Sequence, residues 1–507
     1  MTVISRRDVL ALLAGSALAG TMDWPLRAQA GRSQLLMVID GLRPDYVTPE
    51  VMPRLFAIGQ RGVLFEANHS VFPTVTRVNS SSIATGSYPE THGLLGNTIY
   101  SEKTFPTKAI ETSDYTQLDA MERAEGVLLT APTLGTTLQT AGKRFTVFSA
   151  GSTGAARLLG SPAGAATIVN PDYVRPVELR ARLVAALGEG PKDAIPNNVR
   201  NRWVVDAFLR FGLGELNGDV TAIWFGDPDE TAHAKGVGSE TTKQALRFVD
   251  DEIGRIEDAL RQQGRLAQTN LIVTSDHGFS THTGELKLRE LVAPFARTLP
   301  DGTPDVIVTE GAINLRGPKD PARVAAIVAA LQKRPEVGAI FTRPASPGSA
   351  LGVVAGTLSF SVARWEHARS ADIMISGNWD STTNDAGWAG RTTQGGVAGH
   401  GTSSPFDIHN TLIAAGPDFR ERTRSRVPVS NADLAPTLLT LAGVPVPGSM
   451  TGRVIDEALK TGPDPERVSV QPRVETAQTA DGSYQVDAHI TLVGRERYLD
   501  YTQVRRK

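Results

Sequence analysis

The chain has 507 residues, 40% of them hydrophobic and 21% charged, with a formal net charge of −2. That length suits one large domain with insertions or two to three domains, and the near-neutral charge gives no support for a nucleic-acid-binding or membrane-surface protein. There is no cysteine, which excludes thiolate metal sites, cysteine nucleophiles and disulfides, so a bound metal must be held by His, Asp or Glu.

The first element is an address. Ser5-Arg6-Arg7-Asp8-Val9-Leu10 is a twin-arginine pattern, followed by an apolar run to about Gly20 and by Ala28-Gln29-Ala30, an A-x-A cleavage signal. Residues 1–30 are read as a signal peptide for the twin-arginine export machinery, giving a periplasmic or secreted chain that starts near Gly31. The apolar run is too short to span a bilayer. No other stretch reaches about 18 apolar residues, so no membrane anchor is expected after cleavage.

Residues 34–39 (QLLMVI) then read as a buried parallel strand ending at Asp40-Gly41. An acid at the carboxyl end of such a strand is where open α/β sheets place ligands, although an Asp there also starts turns. Residues 52–59 read as a short amphipathic helix and 62–65 as a strand. The stretch 71–97, VFPTVTRVNSSSIATGSYPETHGLLGN, follows. Pro73 biases Phe72 towards extended backbone, a helical pattern starts at Arg77, and Gly86 and Pro89 stop it. Thr76 then sits at a strand-to-helix turn, where free N–H groups and the helix dipole can hold an anion. Taken alone, Thr76 fits a helix N-cap as well as a nucleophile.

Further strands are expected at 144–149, 221–225, 270–275 and 411–416, and helices at 177–187, 200–211 and 241–262. Strand 221–225 runs into Gly226-Asp227-Pro228-Asp229-Glu230-Thr231-Ala232-His233. Asp229 and His233 are four apart and share a face in a turn or helix, as a surface pair also would. Strand 270–275 ends in Asp276-His277-Gly278, where glycine permits a sharp turn. Between residues 286 and 395 the pattern changes: 322–331 is helical, 353–362 is a candidate strand, and the Gly/Ser/Thr/Asn-rich run 376–396 reads as a long loop. Trp379, Trp388 and Arg391 in that section are open between substrate contact and local packing. His400 then stands between Gly399 and Gly401. Residues 431–439 start a helix with Asp433 near its first turn. Residues 469–493 alternate polar and apolar around Ala480-Asp481-Gly482-Ser483, a hairpin signal. The expected organisation is a signal peptide over 1–30, an α/β catalytic core in two parts over 31–285 and 396–458, an inserted cap over 286–395, and an appended β element over 459–507.

Asp40, Asp229, Asp276, His233, His277 and His400 together make two three-ligand sets of oxygen and nitrogen donors. Such sets suit zinc well, and manganese or iron less well. Two metals about 3.5–4 Å apart are a recurring device for in-line phosphoryl transfer.

The pieces VIDGLRPDY, FPTVTRVN, GSYPETHGLLGN, GDPDETAHAKG, TSDHGF and GHG occur in this order. With them the chain resembles the alkaline phosphatase superfamily, and most of all its nucleotide pyrophosphatase/phosphodiesterase branch. The resemblance implies an α/β fold with a central, mostly parallel sheet flanked by helices, and a phosphoric ester hydrolase acting on a small-molecule phosphate ester with two Zn2+. It implies that Asp229, His233 and His400 hold one zinc, and that Asp40, Asp276 and His277 hold the other with Thr76 as fourth ligand. Thr76 would attack phosphorus and form a phospho-threonine that water releases. Asn97 would donate a hydrogen bond to a non-bridging phosphoryl oxygen.

Two departures bear on substrate. Diesterases of this family usually carry an aromatic directly after the nucleophile; here Arg77 stands there, and Val78-Asn79 replaces the usual Pro-Asn. His400-Gly401-Thr402-Ser403 also lacks the tyrosine common in nucleotide-cleaving members. Arg77 is open as a phosphate contact or a solvent-facing side chain. A phosphomonoesterase or phosphonate hydrolase of the same superfamily therefore stays as an alternative, and a metal-binding protein with a dead site is the alternative of a different class. His69, His92, His282, His367, His409 and His489 are expected to be surface or supporting residues, with Asp407 and His409 best placed to support the ligands.

Overall fold

Strand Ser33–Ile39 is apolar from Leu35 onward, and those residues are buried whichever way they point. Such a strand belongs in the middle of a sheet covered on both faces. In the computed structural model, which describes residues 32–507, it pairs in parallel with Val220–Phe225 on one side and Thr269–Thr274 on the other. The twin-arginine pattern and the A-x-A signal lie outside the described residues. Among the described residues the sheet has nine strands, in the order Thr423–Ser425, Val63–Phe65, Leu412–Ala415, Thr269–Thr274, Ser33–Ile39, Val220–Phe225, Phe145–Ser149, Thr167–Val169, Val174–Arg175. Most neighbouring pairs are parallel; the antiparallel ones involve Leu412–Ala415 and the edge strand Val174–Arg175.

Successive residues of a strand face opposite sides, and both sides are filled. Leu35, Met37 and Ile39 join one core with Leu55, Val204, Leu246, Val249 and Ile253. Leu36 and Val38 join the other with Ile83, Leu134, Leu138, Ala156 and Leu438. The long helix Glu240–Gln262 carries its apolar stripe against the first core and is capped by Ser239, whose side chain accepts from the Thr242 N–H. Its buried Asp250 accepts from the backbone N–H groups of Arg54 and Leu55 at 2.9 and 2.8 Å. It thereby satisfies the free donors at the start of helix Pro53–Arg61.

The register places the carboxyl ends of the three central strands side by side: Ile39 opposite Phe225, and Val38 opposite Thr274. Asp40, the segment leading to Asp229, and Asp276 leave the sheet at neighbouring points, as ligand sites of open α/β sheets do.

The section after residue 286 builds a five-stranded sheet in the order Val306–Val308, Ala312–Leu315, Ile373–Gly377, Val337–Thr342, Leu358–Ser359, with helix Pro321–Gln332. Two readings of the sequence need correction here. Residues 353–362 are mostly turns, and only Leu358–Ser359 pairs as strand; Gly356 at φ +78 turns the chain. Residues 376–396 are not one long loop. Trp379–Thr383 and Ala389–Thr392 pair antiparallel, and the second of them pairs in parallel with Ser280–His282. The hairpin signal at 480–483 is met: Val470–Gln478 and Tyr484–Val493 pair antiparallel, and Glu496–Arg506 adds a third strand. This sheet is not free-standing, because Tyr484, Val486, Ala488 and Ile490 are buried in one core with Ile340, Phe341 and Ile375.

Candidate active site and metal centre

Each ligand candidate is delivered by a sharp change of chain direction at a strand end. Asp40 ends the first strand, and Gly41, at φ +71, turns the chain so that its N–H donates to Asp276 Oδ1 at 3.1 Å. Asp229 opens helix Asp229–Lys235, with His233 one turn on. Gly278 is required for close approach and not for a positive φ: a Cβ there would lie 2.1 Å from the Phe406 carbonyl oxygen.

Two clusters result: Asp229, His233 and His400, and beside it Asp40, Asp276 and His277. In the first, Asp229 Oδ1 lies 3.4 Å from His233 Nε2 and 3.3 Å from His400 Nε2. In the second, His277 Nε2 lies 3.4 Å from Asp40 Oδ1 and 3.1 Å from Asp276 Oδ2. Two ligands bonded about 2.0–2.1 Å from one tetrahedral zinc sit roughly 3.3 Å apart, so these spacings fit one ion per cluster. The clusters adjoin, with His277 Nε2 4.0 Å from Asp229 Oδ1 and the His277 and His400 rings stacked at 3.5 Å.

Asp40 Oδ1, Asp229 Oδ1 and Asp276 Oδ2 are buried and have no hydrogen-bond partner. An orphaned buried carboxylate oxygen is costly unless a cation takes it. The histidines are fixed from behind: His233, His277 and His400 donate through Nδ1 to the carbonyls of Ala398, Gly278 and Thr74 at 2.8, 3.0 and 2.8 Å. That leaves each Nε2 as the nitrogen available to a metal, with His277 Nε2 also meeting Thr76 Oγ1. Trp224 Nε1 donates to Asp40 Oδ2 at 3.0 Å and so aims Oδ1 at the cluster.

The electrostatics ask for positive charge. Burial, and then the Asp276 and Asp229 carboxylates, push the Asp40 carboxyl well above its usual range. Burial opposes the charge on Asp229 too, but His233 and His400 beside it hold that carboxyl well below its usual range. His233 is raised to about 9 by Asp229 against the effect of its own burial. Without a metal the site can balance three crowded carboxylates only by holding extra protons.

Thr76 is the first residue of helix Thr76–Thr85. The N-cap is the extended Val75, and no side chain caps this helix, so the hydroxyl of Thr76 is not spent as a cap. Its Oγ1 lies 3.2 Å from His277 Nε2, beside the second cluster. Asn97 Oδ1 accepts from the Arg77 backbone N–H at 3.1 Å. Arg77, Asn97, His233, His282 and His400 line a cavity of about 760 Å³ that has no Phe, Tyr or Trp in its wall. The Nε of Arg77 is buried without a partner.

Other expected residues lie elsewhere. Trp388 packs on Tyr46 with ring centroids 4.6 Å apart, Trp379 donates to the Thr502 carbonyl at 2.6 Å, and Arg391 pairs with Asp380 at 3.0 Å. Asp407 accepts from the Thr402 N–H and hydroxyl at 3.0 and 2.6 Å, two residues after the candidate His400. His409 instead packs against His69 with ring centroids 4.8 Å apart. His69, His409 and Asp500 form a third cluster of potential ligands, but His69 Nε2 and Asp500 Oδ1 are 2.8 Å apart. That is a hydrogen bond, too short for two ligands on one ion.

The sequence reading missed Asn79 and Asn431. The Asn431 side chain donates to the Asp276 carbonyl at 2.7 Å and to Asn79 Oδ1 at 3.0 Å, while Asn79 Oδ1 also accepts from the Val71 N–H at 2.8 Å. These two buried amides tie the Thr76 helix to the segment that carries Asp276.

A family model described as type I phosphodiesterase/nucleotide pyrophosphatase matches residues 34–403. The chain belongs to this family. It is 26% identical over 278 residues to ectonucleotide pyrophosphatase/phosphodiesterase family member 7 of Homo sapiens, covering 54% of this chain and 54% of that protein. It is 28% identical over 278 residues to bis(5'-adenosyl)-triphosphatase ENPP4 of Bos taurus, covering 53% of each. The chain thus spans about half the length of the curated relatives it matches. Among solved structures, murine ectonucleotide pyrophosphatase/phosphodiesterase 5, an inactive variant in complex with AMP, superposes with a TM-score of 0.58 at 18% identity, covering 85% of this chain and 100% of that one. That likeness concerns the fold.

Proposed function

We propose that the chain is an exported hydrolase of small-molecule phosphate esters, a phosphodiesterase of the nucleotide pyrophosphatase type, working through Thr76 at a two-metal site. The observation that carries this reading is the juxtaposition of two zinc-sized ligand clusters with the Thr76 hydroxyl 3.2 Å from His277 Nε2. Asp229, His233 and His400 would hold one divalent cation, and Asp40, Asp276, His277 and Thr76 the other. The donor set favours Zn2+, with Mn2+ or Fe as alternatives. When bound, the ions supply Lewis-acid stabilisation of the threonine alkoxide and of the departing oxygen.

The rest falls to side chains of this chain. Thr76 Oγ1 gives up its proton and forms the new bond to phosphorus as the bond to the leaving oxygen breaks, and the leaving alkoxide takes up a proton from solvent. Water then forms its own bond to phosphorus, the Thr76–phosphorus bond breaks, and one proton of that water restores the Thr76 hydroxyl. Asn97 has its carbonyl oxygen occupied by the Arg77 N–H, so its amide nitrogen is the group turned to a non-bridging phosphoryl oxygen. The twin-arginine pattern and A-x-A signal in the sequence support export by the twin-arginine machinery.

A phosphomonoesterase is the second reading, favoured by one observation: Arg77, with its unpartnered Nε, lines a cavity with no Phe, Tyr or Trp among its described lining residues. A guanidinium beside the phosphoryl group suits a dianionic monoester. Purified, zinc-loaded protein assayed on bis-p-nitrophenyl phosphate against p-nitrophenyl phosphate separates the two. Preference for the diester, abolished in Thr76→Ala, is the expected result. Preference for the monoester moves the chain to the phosphatase reading, and full activity of Thr76→Ala overturns both.

A further inference from the structure

His282 ends strand Ser280–His282, which pairs antiparallel with Ala398–Gly399, the residues just before the ligand His400. Its backbone N–H donates to the Val397 carbonyl at 3.1 Å. The pairing lays its ring on Gly399. A Cβ at that glycine would lie 2.4 Å from His282 Cε1 and 3.0 Å from His233 Cε1, so the two imidazoles meet across a backbone that only glycine allows.

The two nitrogens of His282 are not equivalent. Nδ1 lies 2.7 Å from the Gly395 carbonyl oxygen. A carbonyl only accepts, so Nδ1 carries the proton and Nε2 of the neutral ring is the acceptor. That Nε2 is buried and has no partner. The residue lines the same cavity as Arg77, Asn97, His233 and His400. A buried acceptor left without a donor calls for one from the ligand side. An ammonium or amide would also donate, but a reaction that hydrolyses an ester always brings an O–H group, as water or as the leaving alcohol.

We infer that His282 is a further functional residue of this site, whose Nε2 accepts a hydrogen bond from a reacting O–H group, either the hydrolytic water or a hydroxyl of the leaving group. The inference rests on the phosphate-ester reading above.

Two substitutions divide the ring into its two jobs. His282→Asn keeps an N–H near the position of Nδ1 and loses the acceptor. His282→Gln places an acceptor near the position of Nε2 and loses the tie to Gly395. Each would be assayed with bis-p-nitrophenyl phosphate, whose leaving group offers no hydroxyl donor, and with glycerophosphoethanolamine, whose glycerol does. Intact mass after acid quench would report the phosphoryl adduct on the protein. His282→Asn is expected to lose roughly tenfold, the worth of one hydrogen bond, with His282→Gln closer to wild type. If the donor is water, the loss is in kcat on both esters, and the adduct accumulates in His282→Asn. If the donor is the leaving group, the loss is confined to the glyceryl ester, and no adduct builds up.

A wild-type-like His282→Asn beside an impaired His282→Gln would overturn the inference, leaving His282 as a strut for the Gly395 loop. Wild-type protein inactive on both esters would overturn the phosphate-ester reading and this inference with it.

Discussion

Asn97 Oδ1 accepts a hydrogen bond at 3.1 Å from the backbone N–H of Arg77, the residue directly after Thr76. One contact thus fixes both the start of the helix and the direction of the amide. Asn97→Asp keeps the acceptor and removes the donor. It is expected to lower kcat/KM by about 10²–10³, the usual loss for one oxyanion donor, with unfolding temperature little changed. Steady-state kinetics beside a thermal melt checks this; equal kinetics would remove Asn97 from phosphoryl binding.

Among the described residues Arg77 makes no ion pair, and its Nε is buried and unpaired. Arg77→Ala is expected to cost about tenfold to a hundredfold in kcat/KM, the range for a hydrogen bond to a charged group. The loss should be larger on a monoester than on a diester. An unchanged value on both would put the guanidinium in solvent.

The first ligand cluster turns on Asp229, which faces both His233 and His400. Asp229→Asn is expected to lower bound metal from about two ions per chain to about one, as a two-metal site predicts. Elemental analysis of protein loaded with excess Zn2+ reads this directly. Because ions bind the folded chain, chelation should also lower the melting temperature of wild type.

His92 lies against helix Thr76–Thr85. It accepts from the Leu94 N–H at 3.1 Å through Nδ1 and meets Ser82 Oγ at 3.0 Å through Nε2. Burial, and then the neighbouring His367 and Arg369, lower its pKa from 6.5 to about 3. Between those values the unfolded chain binds the extra proton, so stability rises with pH and falls on acidification through about pH 6.5. The expected contribution is a loss of about 2 kcal/mol on going from about pH 8 to about pH 5. His92→Gln, compared with wild type by urea unfolding at both pH values, should lack that component.

Asn431 is buried and donates to both the Asp276 carbonyl and Asn79. Asn431→Ala leaves the Asp276 carbonyl without its donor, while Asn79 Oδ1 keeps the Val71 N–H, and is expected to cost about 1–3 kcal/mol of stability. Unfolding of metal-free protein isolates this from any change in metal affinity.

The candidate ligand positions were legible because they sit where mostly apolar strands stop. Residues 34–39, 221–225 and 270–275 read as buried strands, and the acids follow them. Thr76 was legible as a turn residue, but its freedom from capping was not, since that depends on Val75 taking the cap position. Strand Trp379–Thr383 was missed because it is largely solvent-exposed and so has no apolar alternation to read. Residues 353–362 erred the other way: an apolar run whose Val353 is exposed looked like a strand that the bend at 353–354 and the turn at Gly356 prevent. His282 was set aside as a supporting residue. Its place beside His233 depends on a pairing between Ser280–His282 and Ala398–Gly399, more than a hundred residues apart in sequence, which no local pattern reveals.

The most direct test of the account is to catch the phosphoryl group on the protein. Zinc-loaded enzyme would be mixed with bis-p-nitrophenyl phosphate, quenched in acid within the first turnovers, and digested for peptide mass mapping. The account predicts a phosphoryl-ester adduct on Thr76, absent from Thr76→Ala, which also loses hydrolysis. Hydrolysis that proceeds in Thr76→Ala, or an adduct carried by another residue, would contradict it.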